Sequence, residues 1–411
     1  MSAPAQSLRR DTAVMTLVGF AHYTSHVLQL TLPPLFPILH DEFGVSFTEL
    51  GLIVTVFYVA SGLGQATAGV LVDRYGAQRL LLGGLTLLSA AVALIGLAPS
   101  YWVFLPLALV AGLGNSVFHP ADLSILSHCV SGSRLGRAYA VHGVSGTLGY
   151  ATAPVLVAIL AAYGNWRLAL GVVGVAGLAV ALVLYVNRHL LVYAQVLSAR
   201  PAEAGQRRLG YLKVVGSPVV LMAFAYFAMT AFAGSGIQTF SITALVSGYG
   251  VALQVATLGL TGYLVGSAGG MVLGGFLADR TRQHHRVAMS GIATAGTLML
   301  LMSAIADHAL AVVPVMMLGG IANGITAPSR DVLIRRAAAG AGMGSVFGFV
   351  YSGFDLGSST APLLFGALLD HQAPHAVFVA IACAFALAVP TVMEVQHRAA
   401  ARPHVPAGAA D

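Results

Sequence analysis

Gly69-Val70-Leu71-Val72-Asp73-Arg74-Tyr75-Gly76-Ala77-Gln78-Arg79 sets a short charged turn between two long apolar stretches. A shortened copy, Gly275-Phe276-Leu277-Ala278-Asp279-Arg280, follows 206 residues later in a chain of 411. Two further pairs keep nearly the same register: Asn115 and Pro120 match Asn323 and Pro328, and Gly149-Tyr150-Ala151-Thr152-Ala153-Pro154 matches Gly357-Ser358-Ser359-Thr360-Ala361-Pro362, both at an offset of 208. Three matches at nearly half the chain length mark a doubled unit, and self-similarity at a fixed offset constrains a fold more than any single motif.

The surroundings of the turn say what kind of unit was doubled. The chain is 57% hydrophobic and 8% charged, with mean hydropathy +0.85. A water-soluble surface cannot be covered at that charge density, so an integral membrane protein is expected. Apolar stretches of the ~20 residues that cross a bilayer lie near 12–39, 48–72, 79–98, 102–127, 138–163 and 166–191, and again near 215–243, 252–278, 287–306, 309–334, 345–370 and 375–397. The expected fold is an all-α membrane protein of twelve transmembrane helices in two pseudo-symmetric six-helix bundles. Its parts are an N-terminal bundle (1–191), a cytoplasmic linker (192–214), a C-terminal bundle (215–397) and a cytoplasmic tail (398–411). The first stretch is too long for the core of a secretory signal and reads as a retained span. Cys129 and Cys383 have no motif spacing, so no disulfide framework or thiolate metal site is implied.

Net charge +6 raises the question of a polyanionic partner. With both termini in the cytoplasm, every Lys and Arg except Arg167 and Arg330 falls on the inner side or its linker, which is the asymmetry that sets membrane orientation. The basic balance therefore reports topology, and nucleic acid is not an expected partner. Expected partners are the lipid bilayer, a small-molecule substrate and protons, with the chain a monomer in the cell inner membrane. No Walker-type loop is present, no nucleotide or other cofactor is implied, and no resident metal is expected.

Two six-helix halves and the charged turn after the second span resemble the major facilitator superfamily. Gly112-Leu113-Gly114-Asn115-Ser116-Val117-Phe118-His119-Pro120, followed by a glycine-rich fifth span, resembles more narrowly the fosmidomycin-resistance type of drug exporter. The resemblance implies alternating access and transport, not enzymatic chemistry. It also implies that Gly69, Asp73, Arg74, Gly76 and Arg79 gate the transporter through contact with the start of the eleventh span near Ser345, with Asp279 and Arg280 as the weaker second copy. Gly149, Pro154 and Pro362 are further gating candidates, because glycine permits close helix approach and proline permits bending. The Gly-Pro signature of the superfamily's exporters is altered here to Ala153-Pro154. The arginine that many of its proton-driven members carry early in helix four is Ala108 here, and Met316 in the second half.

Ionisable residues within spans cost roughly 2.5 to 3.5 kcal/mol each on insertion scales and are seldom idle. His22, His26 and Gln29 share one helix face, and His119 and Asp122 are three residues apart on the fourth span. Histidine changes charge near neutral pH, so His119 with Asp122 is the first expectation for a proton-coupling site, with His22, His26 and Asp355 as further candidates. Arg330 is the repeat equivalent of Asp122 and could pair with it across the cavity. It could instead bind an anionic substrate, with Gln29, Tyr23, Phe118, Tyr226, Gln238 and Tyr351 completing the pocket. The expected function is proton-coupled efflux of a small amphipathic or anionic compound. Its rivals are a proton-coupled importer of an organic acid or other nutrient, and a membrane-embedded metalloenzyme using His22, His26 and His119.

Overall fold

A backbone surrounded by hydrocarbon must satisfy its own N–H and C=O groups, which restricts spanning segments to helices and closed barrels. The computed structural model describes residues 3–193, 216–337 and 343–400, and among the described residues no strand occurs. The first half contains Ala3–Gln29 with its continuation Phe36–Phe43, then Phe47–Tyr75, Ala77–Ile95, the broken fourth span Phe104–Asn115 and Phe118–Cys129, Leu135–Tyr163 and Trp166–Val186. The second half contains Pro218–Thr243, Leu253–Arg280, His284–Ile305, Ala309–Ala337, Met343–Asp370 and Pro374–Ala400. Ten helical segments among the described residues are long and apolar enough to cross a membrane, and with the helices Ala3–Gln29 and Met343–Asp370 the arrangement is compatible with two sets of six. The expected linker falls almost wholly outside the described residues, as do residues 401–411 of the tail.

Local chemistry sets the breaks. Gly76 adopts φ 92°, which joins the second and third spans within a single residue and accounts for the glycine in the charged turn. Pro33 and Pro34 interrupt the first span, and the fourth breaks between Asn115 and Phe118, ahead of Pro120. Its counterpart, the tenth span, runs unbroken through Pro314 and Pro328. The halves are thus equal in plan and different in detail.

The two halves meet at one end. Near the Phe47 end of the second span, a Cβ at Gly51 would strike the backbone of Pro362, and one at Gly366 would lie 2.7 Å from Thr48 Cα. Thr55 Oγ1 donates to the Ser359 carbonyl at 2.8 Å, and Phe36 of the first half packs on Phe240 of the second, ring centres 5.4 Å apart. Toward the Asp73 end the packing vanishes: a Cβ at Gly69, Gly143, Gly269 or Gly275 would meet nothing within 4 Å. The bundle is closed at the face carrying Phe47 and Asp370, and open at the basic face carrying Arg74, Arg79 and Arg280.

Candidate functional site

Five polar side chains converge inside the first half. Asp122 is fully buried, and its Oδ2 lies 3.1 Å from His142 Nε2 and 3.3 Å from His22 Nδ1. The two imidazoles stack with centres 3.6 Å apart and planes 23° apart. His26 sits 4.4 Å from His22, and His119 presents its edge to His22 at 5.4 Å. The first, fourth and fifth spans each supply a wall. Room for the rings comes from glycine: a Cβ at Gly146 would lie 2.7 Å from His22 Nε2, and one at Gly149 would lie 2.9 Å from His26 Cβ.

Charge in this cluster is limited by its geometry. Two imidazolium ions 3.6 Å apart would repel by about 4–5 kcal/mol even at an effective dielectric constant of 20. One carboxylate facing two stacked imidazoles therefore accommodates one added proton far better than two. His22, His142 and Asp122 also place three potential ligand atoms within 4.8 Å. A metal must lie close to the plane of each imidazole it binds, at about 2.0–2.1 Å from the nitrogen for zinc. Two rings stacked at 3.6 Å share no such point, so this arrangement suits a proton, not a metal ion.

The expected pair of His119 and Asp122 is corrected in its partners. Asp122 turns to His22 and His142, while His119, though solvent- or lipid-accessible, meets those two rings edge-on at 5.4 and 6.1 Å and makes no hydrogen bond to Asp122 among those described. Three residues advance a helix by about 300°, leaving some 60° between the two side chains, and the break before Phe118 rotates the segment further. His142 was missed by the sequence reading. Its signal was present in the spacing of four and seven to Gly146 and Gly149, which places an intramembrane histidine beside two notches on one helix face.

From the cluster a file of polar groups leads to the interface between halves. The His26 ring meets Tyr150 edge-on at 4.1 Å, and the Tyr150 and Tyr58 side chains lie beside one another. Tyr58 is one helical turn from Gly62, whose missing Cβ would sit 3.1 Å from Asp355 Cβ in the second half. Asp355 thus abuts the second span and is placed away from the Asp122 cluster. His26 Nδ1 and Asp122 Oδ1 are buried with no hydrogen-bond partner in the structure.

The expected substrate residues divide among several places. Gln29, Tyr58, Gln238 and Thr239 line a cavity below the closed face, where both halves contribute. The Gln29 Oε1 acceptor is buried and without a partner. Arg330 and Tyr226 line a second, small pocket in the second half, with Ala288 and Leu333. Arg330 lies 4.7 Å above the Phe227 ring and 6.0 Å from that of Phe354, and the structure does not bring it to Asp122. Phe118 is corrected from pocket to core, since it is 1% exposed within the first half. Tyr23 stacks on Phe20, and its carbonyl lies under Gly149. The Tyr351 side chain lies outside the described residues.

The gating candidates separate in the same way. Gly69, Arg74, Arg79, Asp279 and Arg280 are all exposed at the open face, where the Arg74 guanidinium rests 5.3 Å from the Tyr75 ring. The side chains of Asp73 and Ser345 lie outside the described residues. Pro154 sits buried within the continuous helix of the fifth span, while Pro362 meets Gly51 at the closed face.

The family model described as Major Facilitator Superfamily matches residues 15–280 and 229–409. The fosmidomycin resistance protein of Escherichia coli (strain K12) is 26% identical over 93% of this chain and 92% of its own length. An uncharacterized MFS-type transporter of Bacillus subtilis (strain 168), YfnC, is 28% identical over 65% of each chain. Among solved structures, a bacterial homolog of the human lysosomal transporter Spinster, in an inward-facing and occupied conformation, superposes with a TM-score of 0.76 at 15% identity, covering 94% of this chain and 97% of that one.

Proposed function

This chain belongs to the major facilitator superfamily of transporters, and from that premise we propose that it is a secondary active transporter that expels a small amphipathic or anionic compound from the cell in exchange for protons. One observation carries the proton half of this reading: a fully buried carboxylate, Asp122, shared by two stacked imidazoles from two other spans. Such a group holds charge inside a bilayer at considerable cost, and histidine is the side chain that can neutralise it reversibly near neutral pH. With the basic face in the cytoplasm, the halves are closed outward and open inward, the state in which an exporter of the inner membrane loads its cargo.

The interfacial cavity supports the cargo half. Its walls are mostly apolar, and the amides of Gln29 and Gln238 with the Thr239 hydroxyl supply hydrogen bonds, a lining that suits an amphipathic molecule. Arg330 offers a fixed cation closer to the open face, suited to a phosphonate or carboxylate. The same arginine favours a second reading, uptake of an organic acid in symport with protons. Deletion separates the two: loss of an exporter sensitises cells to its compound, whereas loss of an importer prevents growth on it.

Transport into sealed inverted vesicles with an imposed pH gradient tests the main reading, using fosmidomycin, simple organic acids and amphipathic drugs as probes. Uptake should appear with the gradient and disappear when a protonophore collapses it. Uptake of equal rate without the gradient would sink proton exchange.

A further inference from the structure

We propose that Asp370, the last residue of the eleventh span, is the latch that holds the outer face shut by capping the second span of the opposite half. The first turn of a helix leaves N–H groups without an intrahelical acceptor. In Phe47–Tyr75 these donors are served from two sources. Ser46 Oγ accepts from Glu49 N at 3.1 Å, and Glu49 Oε2 accepts from Ser46 N at 2.7 Å, a complete capping box within the first half. Phe47 N and Thr48 N instead donate across the interface, to Asp370 Oδ1 at 2.7 Å and Oδ2 at 2.9 Å. The Thr48 hydroxyl adds a third bond to Oδ2 at 2.5 Å. A carboxylate at a helix N-terminus also meets the positive end of the helix dipole.

The latch has no copy at the other contact between halves. At the offset of 208 that relates the fifth and eleventh spans Asp370 corresponds to Ala162, at the offset of 206 that relates the second and eighth Thr48 corresponds to Gln254, and the N-cap of the eighth span, Ala252, makes no side-chain cap. One helix pair, the second and eleventh, therefore carries a carboxylate near each end: Asp370 at the closed face and Asp73 at the open one. Rocking that opens the outer face must pull Asp370 away from Phe47 and Thr48, leaving those N–H groups to water. The sharing of caps makes the first turn of the second span a component of the switch, with the capping box keeping the helix intact while the latch lets go. This inference rests on the alternating-access reading and is independent of the coupling ion and the cargo.

Labels at Trp102→Cys and Leu310→Cys, exposed positions in different halves at the closed face, report its opening by electron–electron resonance distances in lipid discs, with Cys129→Ala and Cys383→Ser as background. The parent should be dominated by the short distance. Asp370→Asn keeps the size but removes the charge and one acceptor oxygen, and should shift the short-to-long ratio by roughly ten-fold or more toward the open face. Thr48→Val, which removes a single donor, should shift it less and in the same direction. The two changes together should give less than the product of their separate shifts, since they remove the same contact. A parent-like ratio in Asp370→Asn overturns the latch. If Asp370→Asn does not fold, a parent-like ratio in Thr48→Val overturns it instead. A parent whose distances respond neither to pH nor to fosmidomycin, with both variants also unchanged, counts against alternating access itself.

Discussion

The same corner of each half holds one ionised residue against two rings, and the two corners have diverged in chemistry. In the first half Asp122 of the fourth span faces His22 of the first and His142 of the fifth. In the second half Arg330, its repeat equivalent on the tenth span, lies over Phe227 of the seventh and near Phe354 of the eleventh. Seventh matches first and eleventh matches fifth, so the two corners occupy equivalent positions with different side-chain chemistry. Imidazole rings can take up a proton; phenyl rings can only offer a face to a cation that never loses its charge. The Asp122 corner thus contains groups able to change charge near neutral pH, whereas the Arg330 corner is built around a cation that does not.

The largest effect should come from removing the charge that titrates. Asp122→Asn retains the shape but takes away the anion that the imidazoles share. We expect gradient-driven transport to fall by roughly 100-fold or more, about 2.7 kcal/mol of driving interaction, while exchange of labelled for unlabelled substrate without a gradient continues. Arg330→Gln should do the opposite, weakening apparent affinity while leaving the response to pH. If both variants lose exchange and gradient response alike, the division of labour between the corners is wrong.

Much of this contrast was written in the sequence, though unevenly. The doubling, the charged turn and its glycine were legible because they depend on local order and a fixed offset, and Gly76 does take the positive φ that the turn requires. His22, His26, Asp122 and Arg330 stood out because ionisable groups in apolar spans are conspicuous. Their partners did not, because His142 reaches Asp122 from a different span, and Phe227 and Phe354 reach Arg330 from two others. The break before Phe118 turned that residue into the core and set His119 edge-on to the imidazoles of His22 and His142, not onto Asp122, a rotation that no spacing of three or four can report. Asp370 is legible only once the second and eleventh spans are side by side.

Packing around the imidazoles gives the next effect in size. Gly146→Ala forces a methyl group to within 2.7 Å of His22 Nε2, and both rings are confined by neighbouring spans. Overpacking of this kind costs about 1–3 kcal/mol, so a lowered melting temperature in detergent is expected, together with an altered pH dependence of transport. Gly143→Ala, three residues earlier on the same helix with nothing within 4 Å, should instead be neutral or stabilise by up to about 1 kcal/mol. Equal effects at the two positions would show that the helix, and not the histidine cluster, responds. In the other corner Arg330→Lys keeps the charge but loses the planar face over Phe227 at 4.7 Å, and about 0.5–2 kcal/mol of stability should go with it. A larger loss than that from Gly146→Ala would reverse the ranking of the two corners.

The smallest effect tests whether the first half can be weakened without disturbing either corner. Glu42, at the end of Phe36–Phe43, accepts hydrogen bonds from Arg167 and from Trp166 Nε1, both on the sixth span. The Arg167 hydrogen bond holds its carboxyl below the usual range, against a smaller opposing effect of burial and with help from Trp166 and the arginine charge. A depressed carboxylate stabilises the folded state above its unfolded pKa of 4.5, and that contribution is lost as pH falls through the lower folded value. Because the pair is more than a third exposed, at 39% and 37%, solvent screening limits it to less than about 1 kcal/mol. Melting temperatures of the parent and Glu42→Gln should therefore differ by a few degrees at most at neutral pH and converge in acid below that window. Since Glu42, Trp166 and Arg167 all belong to one half, Glu42→Gln should leave the short-to-long ratio at the outer face unchanged, in contrast to Asp370→Asn. A shift in that ratio as large as the one from Asp370→Asn would mean that general loosening of the outer face, not a cap passed between halves, sets which way the transporter faces.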